Sequence, residues 1–331
     1  MARRHRANLL NRLPDIVMIA VLIVVLYLLN KLLPVWKRPF RLDDPDISYD
    51  FVPKDIVPWF DVAIFAILVP VGVVVLWCVA WMLLLATSRR RPAGSWLASL
   101  VDRRESKGPH WHLYTFIIAM ALNVVVVLIL TEVIKSQYGR LRPDFLQRCK
   151  PDLSKITPPA NNYTSVRYFY DDSICKGDKA DIQEGRLSFP SGHASVSFSA
   201  LTLFSLWLYA ILKPLPLFAI KSYNVELSTG QALRMGLAIG PVLAAAYIAI
   251  SRTQQNVHNP TDVIAGAILG VAVAIWFYYI YFYTELSQAK KDMRREKKWD
   301  RLQQVIDSMD SKQNLLCPHH PEPGSSSDPR F

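Results

Sequence analysis

Three short polar runs stand out from an otherwise apolar chain because their side chains can bind an anion and move a proton. Lys135 to Pro143 reads Lys-Ser-Gln-Tyr-Gly-Arg-Leu-Arg-Pro, Ser188 to His193 reads Ser-Phe-Pro-Ser-Gly-His, and Ser251 to Asp262 reads Ser-Arg-Thr-Gln-Gln-Asn-Val-His-Asn-Pro-Thr-Asp. Together they supply three strong cations (Lys135, Arg142 and Arg252), two imidazoles (His193 and His258) and the carboxylate of Asp262. No Cys/His or multi-carboxylate metal cage accompanies them, so no metal and no cofactor is expected. A phosphate dianion suits this inventory, because guanidinium forks and an ammonium neutralise its oxygens without a metal. Pro190-Ser191-Gly192 precedes a helical apolar run. Ser191 is therefore expected near the N-cap, with the first backbone N–H groups aimed at an anion and Gly192 allowing close approach. Asn259 is expected to cap the next helix with Pro260 at its first position and Asp262 near its third. His258 is then left just outside the helix, one turn from Asp262.

The elements that must position these runs are membrane helices. In this chain of 331 residues, 51% are hydrophobic and the mean hydropathy is positive. Ile16 to Leu33, Phe60 to Ala86, Leu113 to Ile134, Ala194 to Leu212, Leu233 to Ile250 and Val263 to Tyr283 are almost free of charge. Spanning a bilayer core takes roughly 20 helical residues, so each run is long enough. The expected fold is an all-α integral membrane protein of six spans, which excludes a disordered chain, a cytosolic enzyme and a secreted disulfide scaffold. Spans three and four form one hairpin and spans five and six another. All three polar runs then meet at one membrane face.

Net charge is +11, but its distribution speaks for a membrane rather than nucleic acid. Arg3, Arg4, Arg6 and Arg12 precede span one, Arg89 to Arg91 follow span two, and Lys290 to Lys298 carry a cluster after span six. Basic flanks stay cytosolic, so both termini are expected there, with the polar runs on the lumenal or extracellular side of a vacuolar, Golgi, endoplasmic reticulum or plasma membrane. The first outer loop is acidic. The second breaks the bias with ten basic residues between Lys135 and Arg186, which points to an anionic task; plain surface charge is the alternative. Asn162-Tyr163-Thr164 in that loop is a glycosylation sequon, and Cys149 and Cys175 are able to pair there or stay free. Cys78 reads as a packing residue. Residues 1–14 read as a basic cytosolic N-terminus, 15–284 as the six-span domain, and 285–331 as a charged, partly disordered cytosolic tail. Oligomeric state is not legible.

Lys-x6-Arg-Pro, Pro-Ser-Gly-His and Ser-Arg-x5-His-x3-Asp, in that order, resemble the three-part signature of the type 2 phosphatidic acid phosphatase (PAP2) superfamily. Gly-Arg-Leu-Arg-Pro-Asp-Phe-Leu before Cys149, and Glu-Gly-Arg-Leu-Ser-Phe-Pro-Ser-Gly-His after Cys175, are similar to its lipid phosphate phosphatase and diacylglycerol pyrophosphate phosphatase branch. The resemblance covers about residues 15 to 284. It departs after His258, where close relatives have a second His and an aromatic residue and this chain has Asn259 and Pro260.

The resemblance implies a helical bundle like that of the superfamily, which hydrolyses lipid phosphates without Mg²⁺. His258 would attack phosphorus to give a phosphohistidine, Asp262 would orient it, and His193 would be the acid and then the base. Lys135, Arg142, Ser191, Gly192 and Arg252 would hold phosphate oxygens. Implied substrates are phosphatidate, diacylglycerol pyrophosphate and lysophosphatidate; polyprenyl pyrophosphate or sphingosine 1-phosphate is the alternative. A transporter with a cationic mouth and a lipid-binding relative without catalysis are the readings outside enzymes. Lys135 and Arg252 also read as ordinary interfacial cations, and Arg140 and Arg186 as solvated loop charge. Glu132, one turn before Lys135, is a possible partner for it. His5, His110, His112, His319 and His320 are expected to be solvated.

Overall fold

The computed structural model describes residues 13–88, 108–155, 169–212 and 229–283, together with Trp299 and Leu302. The basic N-terminus, the clusters at 89–107 and 290–298, Asn162, His5, His319, His320 and nearly all of the tail lie outside the described residues. Two compact units divide the chain, 1–282 and 283–331. In the second, the side chains of Trp299 and Leu302 are exposed.

Among the described residues, six helices are long and apolar enough to cross a membrane. The first, α1, is Leu13–Leu32. The second, α2, joins Trp59–Val62, a π-helical stretch Ala63–Leu68, and Val69–Ser88. The third, α3, is Pro109–Tyr138. Two short helices follow, α4 (Phe145–Cys149) and α5 (Lys179–Glu184). Then come α6 (Gly192–Leu212), α7 (Thr229–Gln254) and α8 (Pro260–Tyr278), the last prolonged by π-helical Tyr279–Tyr283. Among the described residues there is no strand, and the extended pairings are isolated bridges, Phe40 with Tyr170 and Pro151 with Cys175. Helices overrun the apolar runs at their polar ends. Lys135 and Arg252 consequently stand on helix, in the last turns of α3 and α7.

At the centre lies α6, packed against α8, α7 and α3, with most of its residues buried. By contrast α1 has no buried residue and packs mainly on α3. Lipid tails are as apolar as leucine, so close contact rather than a hydrophobic drive must hold such helices together. Gly266 and Gly270, one turn apart on α8, meet that need. A Cβ at 266 would lie 2.5 Å from the Ser191 carbonyl oxygen, and one at 270 would lie 2.4 Å from that of Ser195. Hydroxyls join α3 to α6 as well: Thr131 Oγ1 meets Ser195 Oγ at 2.8 Å, and Ser199 Oγ donates to Asn123 Oδ1 at 2.8 Å. Bonds of this kind average about 0.6 kcal/mol in membrane proteins.

Residues 33–58, 139–155 and 169–191 fold over one end of the bundle. Phe40, Ile47, Leu141, Phe145, Cys149, Ile174 and Ile182 make a small apolar core there, with Phe40 set edge-on to Phe145 at 5.0 Å. Cys149 and Cys175 are joined by a disulfide across 26 residues. Closing a loop of that length stabilises by about 3.5 kcal/mol in the chain-entropy model.

Candidate active site

Backbone geometry at the end of α3 sets the first polar run. Gly139 terminates the helix in the left-handed region (φ 56°), its N–H donating to the Lys135 carbonyl at 3.1 Å. A Cβ there would lie 2.2 Å from the Trp36 carbonyl oxygen, so glycine is required on two counts. The turn hands the chain to the cover. Arg142 N–H then donates to the Gly185 carbonyl at 2.8 Å, and Ser188 N–H to the Arg140 carbonyl at 3.0 Å. The second and third runs meet through the glycine seam, where Ser191 N–H donates to the Asp262 carbonyl at 3.0 Å.

A cavity of about 210 Å³ opens where the runs converge, lined by Lys135, Arg142, Gly192, His193, Arg252 and His258. Each of the five charged or imidazole side chains belongs to a residue only 4–7% exposed. Ser191 stands where expected, just before α6, its carbonyl accepting the Ser195 N–H at 3.0 Å; it is fully buried and its hydroxyl has no partner. Nε of Arg142 and Nε of Arg252 also lack partners. Asp262 does take the third helical position of α8, accepting the Asn259 N–H at 3.0 Å, and His258 stands just outside the helix. Its Nδ1 is 3.8 Å from Asp262 Oδ2.

The cations of the cavity are paired with carboxylates. Lys135 Nζ is 3.5 Å from Glu132 Oε1, Arg142 is 3.0 Å from Glu184, and Arg252 is 3.0 Å from Asp55. Glu184 and Asp55 are about half exposed, whereas the cations they meet are buried. Burial pushes the His258 imidazole well below its ordinary value, to about 3; the Asp262 carboxylate opposes this, while Arg142 and Lys135 add to it. His258 is therefore neutral near pH 7, with a lone pair to offer. Burial also lowers Arg142 from its usual range.

Several participants carry no signal in the three runs. His193 Nε2 is 3.1 Å from the Val57 carbonyl, which also accepts from Arg252 at 3.3 Å. A carbonyl only accepts, so this contact puts a proton on Nε2. The Trp59 ring lies against the His193 ring at 4.2 Å between centroids. Both come from the acidic first loop and the start of α2, a segment outside the three polar runs. Arg148 also lines the cavity, held by Asp144 at 2.8 Å and set under Phe51 at 4.9 Å. Parity of the spans places residues 33–58 at this face, but nothing in their composition marks Val57 or Trp59.

Two expectations need correction. Arg140 and Arg186 are not solvated loop charge: Arg140 bonds Asp262 at 2.7 Å, and Arg186, 2% exposed, bonds Asp172 at 2.5 Å and the Arg38 carbonyl at 2.7 Å. Much of the loop's basicity thus answers carboxylates of the protein itself. Nor is His112 solvated, since it is half-buried and edge-on to Trp77 and Trp111. His110 is exposed, as expected.

The family model described as the PAP2 superfamily matches residues 113–285, a stretch that contains all three polar runs. The chain belongs to the PAP2 superfamily. Among its relatives, Lipid phosphate phosphatase 1 of Arabidopsis thaliana is 30% identical over 81% of this chain and 67% of its own length. Diacylglycerol pyrophosphate phosphatase 1 of Saccharomyces cerevisiae is 29% identical over 81% of this chain and 78% of its own. Phospholipid phosphatase 1 of Rattus norvegicus is 31% identical, but the match spans about half of each chain. No solved structure matches this one.

Proposed function

We propose that this family member is a membrane phosphatase that hydrolyses phosphate from lipid headgroups through a phosphohistidine. One observation carries the reading: two imidazoles and three cations converge on a single cavity at one end of the membrane helices. Lys135, Arg142, Arg252, the Ser191 hydroxyl and the start of α6 at Gly192 grip the phosphate oxygens and offset the charge of the transition state. Removing one such donor costs about 2.7–4 kcal/mol by analogy with oxyanion holes. His258, neutral and with Nδ1 facing the Asp262 carboxylate, attacks phosphorus with Nε2. The bond from phosphorus to the lipid oxygen breaks, and His193 gives that oxygen a proton. His193 then takes a proton from water, which attacks the phosphohistidine and releases inorganic phosphate and His258.

Phosphatidate, diacylglycerol pyrophosphate and lysophosphatidate are the proposed substrates, in keeping with the names of the relatives above. A site at the helix ends lets acyl chains stay in the bilayer, which avoids about 0.8 kcal/mol for each CH₂ withdrawn. The disulfide of the cover favours a lumenal or extracellular site, with both termini in the cytosol.

Full-length protein purified in detergent and assayed for phosphate release in mixed micelles tests the proposal. Phosphate is expected from each of the three lipids, with polyprenyl pyrophosphate and sphingosine 1-phosphate as comparisons, and release should persist in EDTA. His258→Ala should abolish release while leaving the melting temperature in detergent unchanged. Undiminished turnover by that variant would refute the mechanism.

A further inference from the structure

The Asp262 side chain is fully buried, and groups from all three polar runs meet at its two oxygens. Oδ1 accepts Arg140 Nη1 at 2.7 Å; Oδ2 accepts the Ser188 hydroxyl at 2.6 Å and the Asn259 N–H at 3.0 Å. His258 Nδ1, at 3.8 Å from Oδ2, is beyond hydrogen-bond reach and has no other partner. A carboxylate withdrawn from water needs a counter-charge and filled lone pairs. A neutral imidazole offers no charge. The guanidinium of Arg140 therefore balances Asp262 in the resting protein.

Arg140 is itself fixed by its surroundings. Its Nη1 also donates to Thr261 Oγ1 at 2.6 Å, and its carbonyl accepts the Ser188 N–H at 3.0 Å. One residue after the Gly139 turn thus ties the end of α3 to the start of α8 by its side chain, and to the approach to α6 by its backbone. Neither Arg140 nor Ser188 is among the residues lining the cavity, so neither side chain grips phosphate itself.

We infer that Arg140 and Ser188 are positioning residues for phosphoryl transfer, holding Asp262 ionised and aimed at His258. The inference rests on the phosphatase reading above. As the bond from His258 Nε2 to phosphorus forms and the lipid oxygen departs, the imidazole gains positive charge. A preset carboxylate stabilises that charge without reorganising, and it neither takes up nor loses a proton. Such a contribution is made in the transition state and not on binding, so it belongs to kcat rather than KM.

The experiment is a double-mutant cycle on the full-length protein in mixed micelles, with kcat and KM measured for phosphatidate. Arg140→Gln is expected to lower kcat about 100-fold, the scale of an ångström-size misplacement, with KM nearly unchanged. Arg140→Lys, which keeps the charge and loses the fork, should recover about a tenth of wild-type kcat. In an Asp262→Asn background, Arg140→Gln should cost less than about threefold, because no carboxylate is left to hold. Wild-type kcat in Arg140→Gln, an undiminished loss in the Asp262→Asn background, or a raised KM at constant kcat would each overturn the assignment. If Arg140→Gln does not fold, Ser188→Ala carries the same cycle, and its loss must likewise vanish beside Asp262→Asn. An inactive His258→Ala beside a fully active Arg140→Gln sinks this inference alone; an active His258→Ala sinks the phosphatase mechanism beneath it.

Discussion

Gly266→Ala tests whether the glycine seam between α6 and α8 sets the geometry of the site. The added Cβ would lie 2.5 Å from the Ser191 carbonyl oxygen, 3.1 Å from Ala194 Cβ and 3.2 Å from Ser195 N. Ordinary contact begins at 3.4 Å, so the first of these is short by 0.9 Å. Neither partner can swing aside: the carbonyl is backbone, and it already accepts the Ser195 N–H at 3.0 Å. The helices must part by about 1 Å at the point where Ser191 N–H bonds the Asp262 carbonyl, and an error of that size costs about 100-fold in rate. Overpacking adds about 1–3 kcal/mol of destabilisation. We expect kcat in mixed micelles to fall about 100-fold, together with a lower melting temperature in detergent. Gly240→Ala, on an exposed part of α7 with nothing within 4 Å, is the control and should leave both unchanged. A Gly266→Ala protein with wild-type kcat would refute the idea that this contact sets the distance between the second and third runs.

Two further outcomes follow from the charges of the cavity. Asp55 and Glu184 pair with Arg252 and Arg142, the two arginines proposed to bind phosphate, and half-exposed pairs of this kind are worth about 0.2–1 kcal/mol. Asp55→Ala or Glu184→Ala should therefore lower KM by about 1.4- to 5-fold with kcat little changed; a higher KM in initial-rate measurements would show that the carboxylates organise the arginines instead. The second outcome concerns pH. His258 binds its proton less readily in the folded protein than in the unfolded one, so its contribution to stability is complete above pH 6.5 and shrinks as pH falls toward the folded value of about 3. At pH 5 the loss is about 2 kcal/mol, from 1.36 kcal/mol for each pH unit below 6.5. His258→Gln should accordingly lose less melting temperature than wild type between pH 7.5 and pH 5, and equal losses would refute the burial argument.

The first loop shows where reading the chain in one dimension stops. Its aspartates are legible as charge of the sign expected outside the cytosol, yet Asp55 sits on Arg252, Val57 on His193 and Trp59 against the same imidazole. A backbone carbonyl has no side-chain identity, so Val57 could not be found in the composition of the loop. Arg140 and Ser188 are different: both lie inside runs already singled out, but a charge on a loop looks solvated until the carboxylate it meets is known. The ten basic residues of the second loop invited a single explanation, yet among the described ones Lys135, Arg142 and Arg148 line the cavity while Arg140, Lys176 and Arg186 meet carboxylates of the protein itself.

What the amino-acid order determined alone is what depends on local chemistry. Long apolar runs require spans because unpaired backbone cannot cross lipid, their number and parity send three polar runs to one face, and Asn259-Pro260 begins a helix wherever it is placed. What only the tertiary structure decided is which groups meet. Gly266 and Gly270 admit the α6 backbone, the Gly139 turn carries Arg140 to Asp262, and residues 50–59 close over His193. Those meetings join residues 75 to 136 positions apart, and their energies depend on distances and burial that no spacing along the chain records.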